Sequence, residues 1–200
     1  MRVKGILYIF IVFFLGGAVF ACEQHEHNAH DHKHHELKPT QPSQGSLFEF
    51  HDKFTDQNGN SIMLHDLQGN NIVFSMFYTT CTSICPRIAS EMLIFEKKLS
   101  AKQAKKIKFV LLSFDTETDD TAHLKKFEEK MKLTPSFVLL TGQPDSVREI
   151  AAALGINYKK LDDGEFAHSS VFTLLSPDGE IIHQHVGLNM KADEFIAKLQ

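Results

Sequence analysis

Apolar residues fall along this chain in three patterns. From residue 6 to residue 20 they form one run, preceded by Arg2 and Lys4. From 23 to 46 they almost vanish. From 47 onward, short apolar blocks alternate with segments of helical spacing. In that last region Leu47-Phe48-Glu49-Phe50 and Ile62-Met63-Leu64 flank Asp56-Gln57-Asn58-Gly59-Asn60. Asn-Gly between apolar stretches predicts an N-terminal hairpin with strands at 47–50 and 62–64. Residues 72–78 are almost continuously apolar, as in strands buried on both faces of a parallel sheet. Residues 86–99 put Ile88, Met92 and Phe95 on one side of a helix. A second buried strand at 107–114 is followed by a helix at 121–131, a strand at 136–140 and a helix at 145–154 that Gly155 stops. Strands at 171–175 and 180–183 join through Ser176-Pro177-Asp178-Gly179, and residues 190–199 close the chain as a helix.

Strands alternating with helices, then a terminal hairpin and helix, predict an α/β thioredoxin-like fold. Its central mixed sheet is flanked by helices and carries the N-terminal hairpin. Residues 47–200 are enough chain for one domain with a real core.

The N-terminal run has the form of an export signal, a positive start and an apolar stretch short of the about 20 residues a spanning helix needs. It ends in Val19-Phe20-Ala21-Cys22, which resembles a bacterial lipobox. On that reading residues 1–21 are a lipoprotein signal peptide and Cys22 carries the lipid. The other reading is an uncleaved signal anchor. Both put the domain outside the cytoplasm, in the bacterial cell envelope. Residues 22–46 then read as a disordered tether, with His25, His27, His30, His32, His34 and His35 followed by Pro39, Pro42 and small polar residues. Clustered imidazoles bind transition metals without fixed geometry; the plainer role is a spacer.

Composition narrows the function. A hydrophobic share of 42% with 23% charged residues excludes a disordered or polytopic membrane chain. A formal net charge of −4 argues against nucleic acid as a partner, which calls for a clustered basic surface. Three cysteines are too few for a disulfide scaffold, and lipidation of Cys22 leaves one pair. Asp56, Asn58 and Asn60 alternate as in a calcium loop, but the glycine is one place early and the twelfth-position glutamate is missing, which argues against calcium.

That pair is the informative feature. Cys81-Thr82-Ser83-Ile84-Cys85-Pro86 follows the first buried strand, at the carboxyl end where sites collect in open α/β sheets. Pro86 suits the first turn of a helix. Cys81 then lies in the strand-to-helix turn and Cys85 at the helix start, where unpaired N–H groups and the helix dipole favour thiolates. Side chains four apart on a helix have Cβ atoms about 5–6 Å apart, against about 3.5–4.5 Å in a disulfide. Three intervening residues therefore suit a shared ion better than a relaxed disulfide, although a distorted first turn lets the pair close. Two buried structural cysteines are the plain alternative, which the polar flanks Thr79, Thr80, Thr82 and Ser83 oppose.

Residues 77–86, Phe-Tyr-Thr-Thr-Cys-Thr-Ser-Ile-Cys-Pro, resemble the copper motif of the Sco/SenC family. Residues 112–121 are similar to that family's strand-end acidic segment, and residues 167–181 to its histidine loop and hairpin. The resemblance covers residues 47–200. It implies that Cys81, Cys85 and His168 bind one copper ion, Cu(I) or Cu(II). It also implies delivery to the copper-bearing subunit of a cytochrome c oxidase, or to another exported copper protein. The donor set agrees, since thiolates are soft and select Cu(I) while imidazole accepts either oxidation state. His168 follows the polar stretch 161–165, which predicts a mobile loop able to open and close on an ion. Asp115 ends the second central strand and is the candidate outer-shell group or weak axial ligand. His183 and His185 read as surface residues, and Met190 as a packing residue.

Two function classes stay open at this stage. One is a metallochaperone, which is not an enzyme. The other is a membrane-anchored thiol–disulfide oxidoreductase that keeps exported cysteines reduced, with Cys81 or Cys85 attacking through a mixed disulfide.

Overall fold

The computed structural model describes residues 36–200. Residues 1–35, with the expected signal peptide, Cys22 and the six histidines from His25 to His35, lie outside the described residues. Among the described residues no helix is long and apolar enough to cross a membrane.

The elements in chain order are β1 (Phe54–Asp56), β2 (Ser61–Ile62), β3 (Asn71–Phe77), α1 (Ile84–Lys98), α2 (Ala101–Ala104), β4 (Ile107–Ser113), α3 (Thr121–Met131), β5 (Phe137–Thr141), α4 (Pro144–Ala153), β6 (Tyr158–Lys160), β7 (Phe166–His168), β8 (Val171–Leu175), β9 (Ile181–Val186) and α5 (Ala192–Ile196). Seven strands form one mixed sheet in the order β2-β1-β5-β4-β3-β8-β9, and β6 and β7 form a separate two-stranded sheet. This is the expected thioredoxin-like arrangement of a central mixed sheet flanked by helices.

The two apolar runs become neighbours. β3 and β4 pair in parallel from Asn71 opposite Ile107 to Phe77 opposite Ser113. Every residue of β3 is buried. Because side chains alternate across a strand, Val73, Phe109 and Phe77 share one face. There Phe109 meets Phe95 of α1 with ring centroids 5.6 Å apart, and Phe77 meets Phe127 of α3 at 4.9 Å. Phe95 also reaches Phe195 of α5. The parallel pairing sends β3 and β4 out at the same end, so the segments after Phe77 and Ser113 emerge side by side.

Several expectations shift. Leu47–Glu49 is a 3-10 helix rather than a strand. The Ser46 hydroxyl accepts from the Phe48 amide at 3.1 Å, so a local cap outcompetes the ladder. The hairpin exists, but its first strand is β1, with Phe54 opposite Ile62. Its turn is held by Asp56, whose Oδ1 accepts from the amides of Asn58 and Asn60 at 2.8 Å each. The alternating Asp and Asn residues thus serve a turn. The final helix is shorter than 190–199.

The stretch expected to be a disordered tether up to residue 46 is instead bonded to the domain from residue 37. The Leu37 amide donates to the His168 carbonyl at 3.3 Å, Thr40 to that of Gly155 at 2.9 Å and Ser43 to that of Ala153 at 2.8 Å. Gly155 has a φ of +70°, and a Cβ there would lie 2.3 Å from the Thr40 carbonyl oxygen. The helix-stopping glycine therefore also makes room for this strap.

Candidate metal centre

The chain leaves β3 at Phe77, turns through residues 78–83 and enters α1 at Ile84, so Cys85 and Pro86 occupy the first helical turn. Pro86 fits there because the first amides of a helix have no intrahelical acceptor. The unpaired amides are used by sulfur: the Cys85 amide donates to Cys81 Sγ at 3.3 Å. Both cysteines are free and buried, Cys85 completely.

The two thiols are not equivalent. The hydrogen bond from the Cys85 thiol holds Cys81 down to a pKa of about 4, with the amides of Cys85, Ser83 and Ile84 adding to it against the opposing effect of burial. Burial, then the bond to Cys81 and its charge, push the Cys85 thiol well up. At neutral pH the pair is one thiolate and one thiol. A folded pKa of about 4 against an ordinary 9.0 means that the thiolate's stabilisation is complete above pH 9, declines as the pH falls, and is gone at about 4. The ultraviolet thiolate absorbance of the reduced protein is therefore expected to persist down to about pH 4 and to titrate in one step there. Cys85→Ala removes the main donor and is expected to move that step upward; an unmoved step would contradict this account.

The turn is anchored from the segment that follows β4. Asp119 is buried and accepts from the Thr79 amide at 2.9 Å, the Thr79 hydroxyl at 2.5 Å and the Ser113 hydroxyl at 2.5 Å. Burial raises its pKa despite these bonds. Sequence reasoning singled out Asp115 instead. Asp115 is also buried and lines a cavity of about 570 Å³ with Tyr158, Lys160 and Phe166. The signal for Asp119 lay in the same acidic segment, four residues on.

His168 does not lie on a loop. It is the last residue of β7, paired with Tyr158 of β6, and is buried. The polar stretch 161–165 forms only the hairpin tip. The missed signal is the aromatic content of the arms: Phe166 packs on Tyr78 at 5.1 Å and on Phe114 at 5.0 Å, and Tyr158 stacks on Phe114 at 5.1 Å. The His168 ring lies 5.1 Å from that of Phe114 and 6.3 Å, edge to face, from that of Tyr78. The Tyr78 hydroxyl donates to Glu165 at the tip. Tyr78 and Phe114 are the residues just beyond β3 and β4, so the histidine arm leans on the end of the sheet that carries the cysteines.

His168, Ile84 and Arg87 line one cavity of about 320 Å³ together with Glu36, Ser170 and Leu188. The structure thus brings Cys81 and Cys85 into contact and places His168 across a cavity from the first turn of α1. Among the described residues no three His, Cys, Asp or Glu side chains converge closely enough to hold an ion as they stand. The donor types suit a soft ion: one thiolate, one thiol that can ionise and one imidazole.

A family model described as SCO1/SenC matches residues 40–200. The chain belongs to the SCO1/SenC family. It is 30% identical over 152 residues to the SCO1 protein homolog of Bacillus subtilis, covering 74% of this chain and 78% of that one. Among solved structures it is similar to BsSco, a member of the Sco family of cytochrome c oxidase assembly proteins in which a disulfide switch was identified. That match has a TM-score of 0.67 and 26% identity and covers 80% of this chain and 95% of the other. It is also similar to Bradyrhizobium japonicum ScoI with copper bound, with a TM-score of 0.60 and 25% identity over 77% and 95% of the two chains. In this SCO1/SenC chain, then, the family's thioredoxin-like frame carries a free thiol pair at a strand end and a buried histidine on a separate hairpin.

Proposed function

We propose that this protein binds one copper ion through Cys81, Cys85 and His168 and acts as a metallochaperone in the assembly of a copper centre of cytochrome c oxidase. The observation that carries this reading is the pair of free sulfurs, one already a thiolate, at the carboxyl end of β3 beside the His168 hairpin. Two sulfurs and one nitrogen leave an open side from which an ion can be handed on. The relatives support the choice of metal and recipient, since a related ScoI is known with copper bound and BsSco belongs to a family of oxidase assembly proteins. The recipient is the copper-bearing subunit of the oxidase or another exported copper protein. Cys22 supplies the lipid anchor and holds the domain on the outer side of the membrane.

The unequal thiols favour a second reading, a thiol–disulfide oxidoreductase in which Cys81 attacks and Cys85 resolves. Copper titration of the full chain in detergent separates the two. Metal delivery is expected to give one tightly bound ion with a visible thiolate-to-Cu(II) absorbance, and His168→Ala to weaken binding by about 10- to 100-fold. Unchanged affinity in His168→Ala, with reduction of a protein disulfide lost in Cys81→Ser, would decide for the redox role.

A further inference from the structure

The two ends of the large sheet carry opposite charge. β3 and β4 are parallel, so the chain must return along α1 from the end that holds the cysteines to the end where β4 begins. α1 has 15 residues, which sets those ends about 22 Å apart. Residues 96–108 cover the last turn of α1, all of α2 and the start of β4. They hold Lys97, Lys98, Lys102, Lys105, Lys106 and Lys108 against the single acid Glu96. All of these lysines but Lys108 are fully exposed. Among the described residues only Lys98 of the six has an ion pair, with Asp193 at 3.2 Å. Glu96 is engaged by hydroxyls, accepting from Thr134 at 2.7 Å and from Ser136.

This patch sits on ordered backbone. The Ser100 hydroxyl accepts from the Gln103 amide at 3.4 Å, and the Gln103 side chain accepts from the Ser100 amide at 3.0 Å, which starts α2. The Lys106 carbonyl accepts from the Asn71 amide at 2.9 Å, at the first residue of β3. Lys102 and Lys106 line one cavity with Ser100 and Asn71. Asp178 and Glu180 also lie at this end, but in the turn between β8 and β9, across β3 from β4. At the cysteine end the sign reverses. Glu117 and Asp120 after β4, and Asp162, Asp163 and Glu165 at the β6–β7 tip, are all exposed acids. Arg87, Lys159 and Lys160 oppose them there, and Lys160 is paired with Glu117.

We infer that the lysine patch at residues 97–106 docks on the headgroups of an anionic phospholipid surface and turns the end bearing Cys81, Cys85 and His168 away from the membrane. Clustered lysines on one face are attracted to such a surface, and the acids at the other end are repelled by it, so both halves of the charge pattern favour one orientation. With the anchor proposed at Cys22, the chain from there to Glu36 extends to at most about 50 Å, against a domain about 40 Å across. Either end can therefore face the membrane, and the charges decide which. The inference goes beyond the copper reading and does not depend on it.

The test is lysine footprinting of the full chain in vesicles, by brief acetylation and peptide mass spectrometry. One set of vesicles is phosphatidylcholine alone; the other carries about 30% phosphatidylglycerol. Lys97, Lys102, Lys105 and Lys106 are expected to label about three- to tenfold more slowly on the anionic vesicles, with Lys159 and Lys160 unchanged. About 1 M sodium chloride, which cuts the screening length to about 3 Å, is expected to abolish the difference. Replacing Lys102, Lys105 and Lys106 together by glutamine is expected to remove the protection of Lys97. Equal labelling on both kinds of vesicle overturns the inference, as does equal protection of Lys159 and Lys160. Protection that appears only in native membranes assigns the patch to an acidic protein and overturns the lipid surface. The copper titration reads the other end of the domain, so either result can fail without the other.

Discussion

Cys81→Ser is expected to lose copper binding by roughly a thousandfold or more, about 4 kcal/mol. A serine hydroxyl is a hard donor that stays protonated, whereas Cys81 offers a thiolate down to a pH of about 4. Cys85→Ser is expected to lose nearly as much, by a different route. Cys85 is buried and rests as a thiol, so it must give up its proton when an ion arrives. Binding of one Cu(I) near pH 7 is therefore expected to release about one proton from the pair rather than two. Calorimetry in buffers of different ionisation enthalpy reads that number directly. A release near two would show that Cys81 rests protonated and that the asymmetry described above is wrong.

The second large effect concerns Asp119. Asp119→Ala leaves the Thr79 amide, the Thr79 hydroxyl and the Ser113 hydroxyl without their acceptor in a buried place. The expected loss of stability is about 2–4 kcal/mol, or a fall in Tm of about 2–4 °C for each kcal/mol in a chain of this size. Asp119→Asn should cost much less. Its amide oxygen can still accept from the Thr79 amide and Ser113, while its NH₂ donates to the Thr79 hydroxyl, which rotates to accept. Urea unfolding of the two variants measures the contrast. Amide hydrogen exchange at Thr79 is expected to quicken in the alanine variant and hardly at all in the asparagine one. Equal destabilisation by both substitutions would mean that the carboxylate's charge, not its acceptor geometry, holds the cysteine turn.

The frame of the molecule was legible because strands buried on both faces leave continuous apolar runs, and β3 and β4 are such runs. The cysteine pair was legible for the same reason, since it follows directly on one of them. Where local and tertiary demands compete, the pattern misleads. Leu47-Phe48-Glu49-Phe50 is an apolar stretch next to an Asn-Gly turn, as a hairpin strand would be, yet Ser46 caps a 3-10 turn there. The His168 hairpin was read as a loop because its strands are only three residues long and Lys159 and Lys160 are exposed. Its stability lies in ring contacts with Tyr78 and Phe114, more than 40 residues away in the chain. Asp119 could not be told from its neighbours Asp115 and Asp120, because its bond to Thr79 spans 40 residues.

The β6–β7 hairpin shares no ladder with the seven-stranded sheet. A small swing that carries His168 toward the sulfurs would break none of the large sheet's ladder bonds. What it would have to slide are aromatic faces, whose attraction is broad in distance and angle, and what it would have to release are the clasp between Tyr78 and Glu165, the bond from the Leu37 amide to the His168 carbonyl and the ion pair of Lys160 with Glu117. The imidazole thus rides on an arm held by ring packing and a few bonds, while the two sulfurs follow directly on a central strand of the large sheet.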